Sequence, residues 1–160
     1  MLFRSRIQDG NDEMTMDAAS RNGELEVVQV LRRYGVDVDS RDDRGWTPLD
    51  SASRCGHLDI VRLLLQNGAT ADSGDEEGWT PLTSASRYGH LDIVQLLLQN
   101  HAAVNSCNHQ GETPLILASY FGHLDIVQLL LQNGATINHR PNTILPPLHS
   151  ASINGYLDIV

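Results

Sequence analysis

Three pairs of residues could in principle do chemistry: His57 with Asp59, His90 with Asp92 and His123 with Asp125. Imidazole and carboxylate are the groups of general acid–base catalysis, and both ligate zinc. Their spacing argues against either role. The pairs recur at a step of 33 residues, which places them on successive units. Packed helices lie roughly 8–10 Å apart, whereas zinc holds its nitrogens at about 2 Å. The simpler reading is that each histidine fixes the start of a helix and each aspartate stabilises its positive end. Cys55 precedes His57 closely. No third group orients that pair and no electropositive pocket is evident, so a thiolate nucleophile is not expected. Gly-rich phosphate loops are absent. The sequence therefore offers no catalytic residue, no metal site and no cofactor site.

The histidines belong to a larger repeat. Gly89-His90-Leu91-Asp92-Ile93-Val94-Gln95-Leu96-Leu97-Leu98-Gln99-Asn100 recurs without change from Gly122 to Asn133, and recurs from Gly56 to Asn67 with Arg62 in place of the glutamine. A degraded copy starts at Gly23 and a shortened one at Gly155, so the glycines fall at 23, 56, 89, 122 and 155. A constant period of this length means a solenoid. The 160 residues are then one array. Its units run approximately 9–41, 42–74, 75–107, 108–140 and a truncated 141–160, after a degenerate lead-in over 1–8.

Each unit reads as two helices. In the unit from Asp42, turn chemistry at Asp42-Asp43-Arg44-Gly45 leads to Thr47 as N-cap and Pro48 at the first helical position. Asp50 faces the positive helix end. This first helix is expected over about Pro48 to Arg54, with small residues Ser51-Ala52-Ser53 in its middle and Gly56 ending it. The second is expected over about Leu58 to Asn67. Leu58, Val61, Leu64 and Leu65 form its apolar stripe, with Asp59, Arg62 and Gln66 opposite. Gly68 is a left-handed C′ residue, and His101 takes the matching place in the next unit. Thr80-Pro81-Leu82 and Thr113-Pro114-Leu115 repeat the start signal, Pro146-Pro147-Leu148 keeps only the proline, and Met14-Thr15-Met16 loses both parts. The chain stops at Val160 inside the last second helix. The expectation is a fragment, a truncated product or part of a longer array, with fraying at residues 155–160.

Composition narrows the classes of partner. Net charge is −9 and lysine is absent. Residues 1–80 carry 16 acids and 9 arginines, and residues 81–160 carry 4 acids and 2 arginines. An acidic surface without lysine argues against nucleic acid, whose binding needs clustered cations. No apolar run reaches the length of a membrane span, so no membrane partner is expected, and no signal peptide is visible. Cys55 and Cys107 form neither a disulfide framework nor a zinc pattern. Unpaired thiols suit a reducing cytoplasmic or nuclear compartment.

Differences among the copies separate frame from variable surface. The second helices hardly vary. The turn tips do: Asp43 and Arg44, Glu76 and Glu77, His109 and Gln110, Asn142 and Thr143. So do the first-helix ends: Arg54 and Cys55, Arg87 and Tyr88, Tyr120 and Phe121, Ile153 and Asn154. A third variable position holds Trp46, Trp79, Glu112 and Leu145. Trp, Tyr and Arg are the types enriched at interface hot spots. The tryptophans could also pack on a neighbouring turn and helix, and Phe121 on the adjacent unit. Glu76 and Glu77 beside Arg44 and Arg87 suggest a mixed-charge partner steered by its rim.

Asp-x-x-Gly-x-Thr-Pro-Leu, then Ala, then Gly-His-Leu-Asp-Ile-Val-x-Leu-Leu-Leu-x-Asn-Gly-Ala resembles the ankyrin repeat over nearly the whole chain, most strongly from Asp42 to Thr136. The resemblance implies an all-α solenoid of helix-turn-helix pairs, with short β-hairpin-like fingers between repeats, in an L-shaped stack. It implies that the three variable sets line a concave face for protein recognition. That gives Asp43, Arg44, Trp46, Arg54, Glu76, Glu77, Trp79, Arg87, Tyr88, His109, Glu112, Tyr120 and Phe121 as protein-binding residues. It also makes Asn105 and Asn138 candidate hydroxylation positions. The chain departs from the family where a histidine follows Thr-Pro-Leu: here it is Asp50, Thr83 and Ile116, and only His149 conforms. Ser53, Ser86, Ser119 and Ser152 replace a small alanine, and the finger at Pro141-Asn142-Thr143-Ile144 lacks Asp and Gly. The expected function is a non-catalytic module or scaffold for other proteins, monomeric or within a longer chain. The alternative is the regulatory or sensing segment of a larger enzyme or signalling NTPase.

Overall fold

The computed structural model of the chain describes residues 15–137 and Ser152. Between residues 15 and 137 eight helices follow one another: α1 (Met16–Asn22), α2 (Leu25–Arg33), α3 (Pro48–Cys55), α4 (Leu58–Gln66), α5 (Pro81–Tyr88), α6 (Leu91–Gln99), α7 (Pro114–Phe121) and α8 (Leu124–Gln132). No strand occurs among the described residues. The helices form four pairs stacked in chain order, with α1, α3, α5 and α7 packed in one row and α2, α4, α6 and α8 in the other. The first-helix row is the more closely packed. Its middles are small and buried: Ala52, Ala85, Ser53 and Ser86 are all inaccessible. The expected fraying at 155–160 and the expected finger at 141–144 fall outside the described residues.

The local signals act largely as the sequence indicates. Thr47 and Thr80 cap α3 and α5 with full capping boxes, closed by Asp50 and Thr83 at the third helical position. Thr113 caps α7 without the return bond, because Ile116 offers no acceptor. α1 differs from expectation. Thr15 does cap it, accepting from Ala18 N at 3.0 Å. With no proline to fix the first turn, the cap falls one position later than in α3, and the helix is a residue shorter. In the second helices the fully buried stripe is Ile60, Val61 and Leu64, repeated by Ile93, Val94 and Leu97 and by Ile126, Val127 and Leu130. Leu58 and Leu65 are only partly buried. The interleaved apolar surface forms one continuous core along the stack, so each pair depends on its neighbours for stability.

Asp50 is the exception to a simple dipole reading. Its Oδ2 accepts from Thr47 N at 2.9 Å and from Thr47 Oγ1 at 2.8 Å. Yet burial outweighs these bonds and pushes the carboxyl up to about 7, and Oδ1 has no partner among the described residues. Asp17 on α1 is raised the same way, chiefly by burial, against the Ser51 hydroxyl and Arg21 that favour its charge. Desolvation penalises only the charged form, which is why it wins over two hydrogen bonds.

Successive pairs are also joined by polar links at the same step. The His57 ring reaches back to the Arg21 carbonyl at 3.0 Å, His90 to Arg54 at 3.0 Å and His123 to Arg87 at 3.1 Å. A carbonyl only accepts, so Nε2 carries the proton in each. The rings lie directly over Gly23, Gly56 and Gly89, where a Cβ would meet the imidazole at 2.6–2.7 Å. Those glycines also have φ of 78°, 83° and 79° as helix C-caps. Glycine is thus required twice, by backbone and by neighbour. The histidines therefore fix more than a helix start: they clasp one repeat to the previous one. On another edge, Asp39 accepts from Thr70 N, Asp72 from Ala103 N and Asn105 from Thr136 N. Asn105 is engaged in this bridge; Asn138 lies outside the described residues. His101 adopts φ 64°, as its place after α6 requires.

Candidate protein-interaction groove

The fingers are built by one acidic or amide side chain each. Asp42 Oδ1 accepts from Arg44 N at 2.9 Å and Trp46 N at 2.8 Å, while Asp42 N donates to Trp46 O at 2.9 Å. Asp75 repeats this set with Glu77 and Trp79, and Asn108 with Gln110 and Glu112. The result is a closed turn with a hairpin-like bracket. Adjacent fingers are tied directly: the Arg41 guanidinium donates to both Gly45 O and Gly74 O at 2.7 Å, and His109 N donates to Glu77 O at 2.8 Å.

These rigid turns and the ends of α3 and α5 enclose a groove of about 470 Å3. It is lined by Asp43, Arg44, Trp46, Arg54, Glu76, Glu77, Trp79, Arg87 and Tyr88, all expected from the variable positions, and also by Asp75 and Ser84. Trp46 and Trp79 are half-buried, so each ring both packs on the frame and faces the groove. Their spacing comes from the finger bracket, which delivers the tryptophan amide to the Asp42 or Asp75 carboxylate.

The two arginines stand between aromatic rings. The Arg54 guanidinium carbon is 4.6 Å from the Trp46 ring centre and 5.4 Å from that of Tyr88. That of Arg87 is 5.3 Å from Trp79, 5.7 Å from Tyr88 and 5.1 Å from Phe121. Tyr88 is thus shared by both cations. Ring quadrupoles attract the cations and restrict their motion. Among the described residues no carboxylate lies within ion-pairing distance of Arg44, Arg54 or Arg87; the two ion pairs present both belong to Arg21.

The remaining expected residues sit beyond this groove. Phe121 extends it through its contact with Arg87, and Tyr120 packs edge-on against Phe121 with ring centres 5.0 Å apart. Glu112 stands where the tryptophans stand, but its carboxylate is held by Asn108 Nδ2 at 2.7 Å. His109 is at the next finger tip and exposed. Asp75 was readable only as a turn residue and Ser84 only as a small one; their second role depends on where the next finger folds. No group of three or more metal-ligating side chains occurs among the described residues, and no helix there is long and apolar enough to cross a membrane.

Paired short helices stacked at a 33-residue step, with fingers between pairs, define a helical solenoid of the repeat type. The three-copy ankyrin-repeat family model matches residues 15–108, 68–141 and 100–160, and the chain belongs to the ankyrin repeat family. No curated protein matches the chain. Ankyrin repeats are in general protein–protein interaction modules, and the fold is typically non-catalytic.

Proposed function

We propose that this array is a non-catalytic recognition module that binds a partner protein in the groove between its fingers and first-helix ends. The observation that carries the reading is the pair Arg54 and Arg87, each held against aromatic rings beside a rigid finger. Such anchors are ordered before a partner arrives, so little side-chain entropy is lost on binding. Tryptophan, tyrosine and arginine in a partly desolvated cleft are also the residues that dominate binding energies. The rim acids Glu76 and Glu77 would steer approach more than hold the complex.

The test is affinity capture with the intact chain and with a variant carrying alanine at Trp46, Arg54, Trp79, Arg87 and Tyr88. The variant should keep its helical circular dichroism and lose the captured partners, each central anchor contributing roughly tenfold or more in affinity. Equal capture of the same partners by both proteins would place the binding surface elsewhere.

A further inference from the structure

The groove has walls of opposite charge. On the helix wall, the guanidinium carbons of Arg54 and Arg87 lie over the rings of Trp46, Trp79, Tyr88 and Phe121. A guanidinium has N–H groups along its edge for an in-plane, bidentate bond to a carboxylate. No carboxylate of the described residues occupies either edge. On the finger wall, the side chains of Asp43, Glu76 and Glu77 are exposed, with the exposed Arg44 among them. The same cleft therefore offers two cations to one side of an occupant and a net acidic wall to the other.

We propose that the groove receives an extended peptide segment in which acidic and basic side chains alternate. Its acidic row pairs with Arg54 and Arg87, and its basic row with Asp43, Glu76 and Glu77. The inference rests on the protein-binding reading of the same groove. In an extended chain successive side chains point to opposite sides, so alternation along the sequence becomes one charge per side. Arg54 and Arg87 both approach the single Tyr88 ring, at 5.4 and 5.7 Å from its centre, so one extended chain with same-side carboxylates about 7 Å apart can pass both. A uniformly acidic segment would set half its carboxylates against the fingers. A uniformly basic one would set half its cations against the arginines. Like-charge juxtaposition of that kind rejects wrong partners.

The chain contains two tryptophans, Trp46 and Trp79, and both line the groove. Their emission reports occupancy without a label. The full chain is titrated with five capped octapeptides: alternating Glu-Lys, a Glu block followed by a Lys block, all Glu, all Lys, and an uncharged peptide rich in Tyr and Leu. The alternating peptide should change the emission at the lowest concentration, and added salt should weaken it. Arg54→Gln with Arg87→Gln should lower its affinity about tenfold or more, as should Glu76→Gln with Glu77→Gln, since each pair removes charge-assisted bonds. Thermal melts of these variants should match the parent, which separates binding from folding. Equal affinity for the block, all-Glu or all-Lys peptide would overturn the proposal, as would an alternating peptide indifferent to the arginine variant. Binding of the uncharged peptide alone, lost in a variant with alanine at Arg54, Arg87 and Tyr88 that keeps both tryptophans, would overturn the charge rule and leave the protein-binding reading standing. If no peptide alters the emission, the peptide proposal falls, and the affinity capture decides the protein-binding reading.

Discussion

The first helices have two sides that follow opposite rules. On the seam side, Gly23, Gly56 and Gly89 lie under histidines of the next repeat, with the same bond at 3.0–3.1 Å each time. On the groove side, the residue just before the helix end is Arg54 in α3, Arg87 in α5 and Tyr120 in α7, and the finger partner is Trp46, Trp79 and then Glu112. The backbone bracket of the third finger is unchanged, yet its glutamate is tied to Asn108 instead of facing a cation. Sameness marks where one repeat must accept the next. Difference marks where the stack does not require one residue type, although Arg54–Tyr88 and Arg87–Phe121 still pair across repeats there.

If the seam is the source of stability, changes on it should move folding and leave binding alone. The largest effect on folding, however, should come from off the seam, at the buried Asp50 that closes the start of α3. Its folded-state carboxyl is raised to about 7 from 3.8, so the folded chain holds that proton more tightly than the unfolded chain. Stability should accordingly fall as pH rises between those two values and level off above them. Asp50→Thr, which copies the box of α5, should remove most of that slope and stabilise at about pH 8 by at most about 4 kcal/mol. Asp17 shifts in the same direction and should leave a smaller residual slope. Urea melts across this pH range check it; a wild-type profile flat from pH 4 to 7 would contradict the burial of a charged Asp50.

Gly56→Ala comes next. A Cβ there needs φ near 83° and meets the His90 ring at 2.7 Å, which together should cost about 3 kcal/mol. His90→Ala should cost about 2 kcal/mol through its lost bond and packing. In the His90→Ala background the glycine substitution should cost only about 1 kcal/mol, the backbone part alone. Additive losses in a double-mutant cycle would break the clasp interpretation. The smallest effect is at His101, the non-glycine residue with positive φ among those described. His101→Gly should stabilise by about 1 kcal/mol, read as a raised melting temperature.

The sequence disclosed the frame well because the second helices are copies, and copies must stack alike. It missed the α1 cap, because Thr15 stands one position later than the other cap threonines, at the place proline holds in the later repeats. The role of the histidines was hidden because their partner carbonyls lie 36 residues away. Local pattern could show that Asp50 faces a helix start, but not that burial would outweigh that position. For the groove, the residue types were readable from their variation; the sharing of Tyr88 between two arginines was not, because it joins two repeats.

The clasps have a mechanical consequence. Every histidine link spans 36 residues and every one of these Asp or Asn bridges spans 31, so among the described residues these links tie only neighbouring repeats. Under tension applied at its termini, nothing obliges the stack to yield at once. It should release one repeat after another, each adding about 110 Å of extended chain, and on relaxation re-form against whichever neighbour remains folded. The array is then an extensible tether as well as a surface, and the groove between α3 and α5 would open at a force set by the His90 clasp.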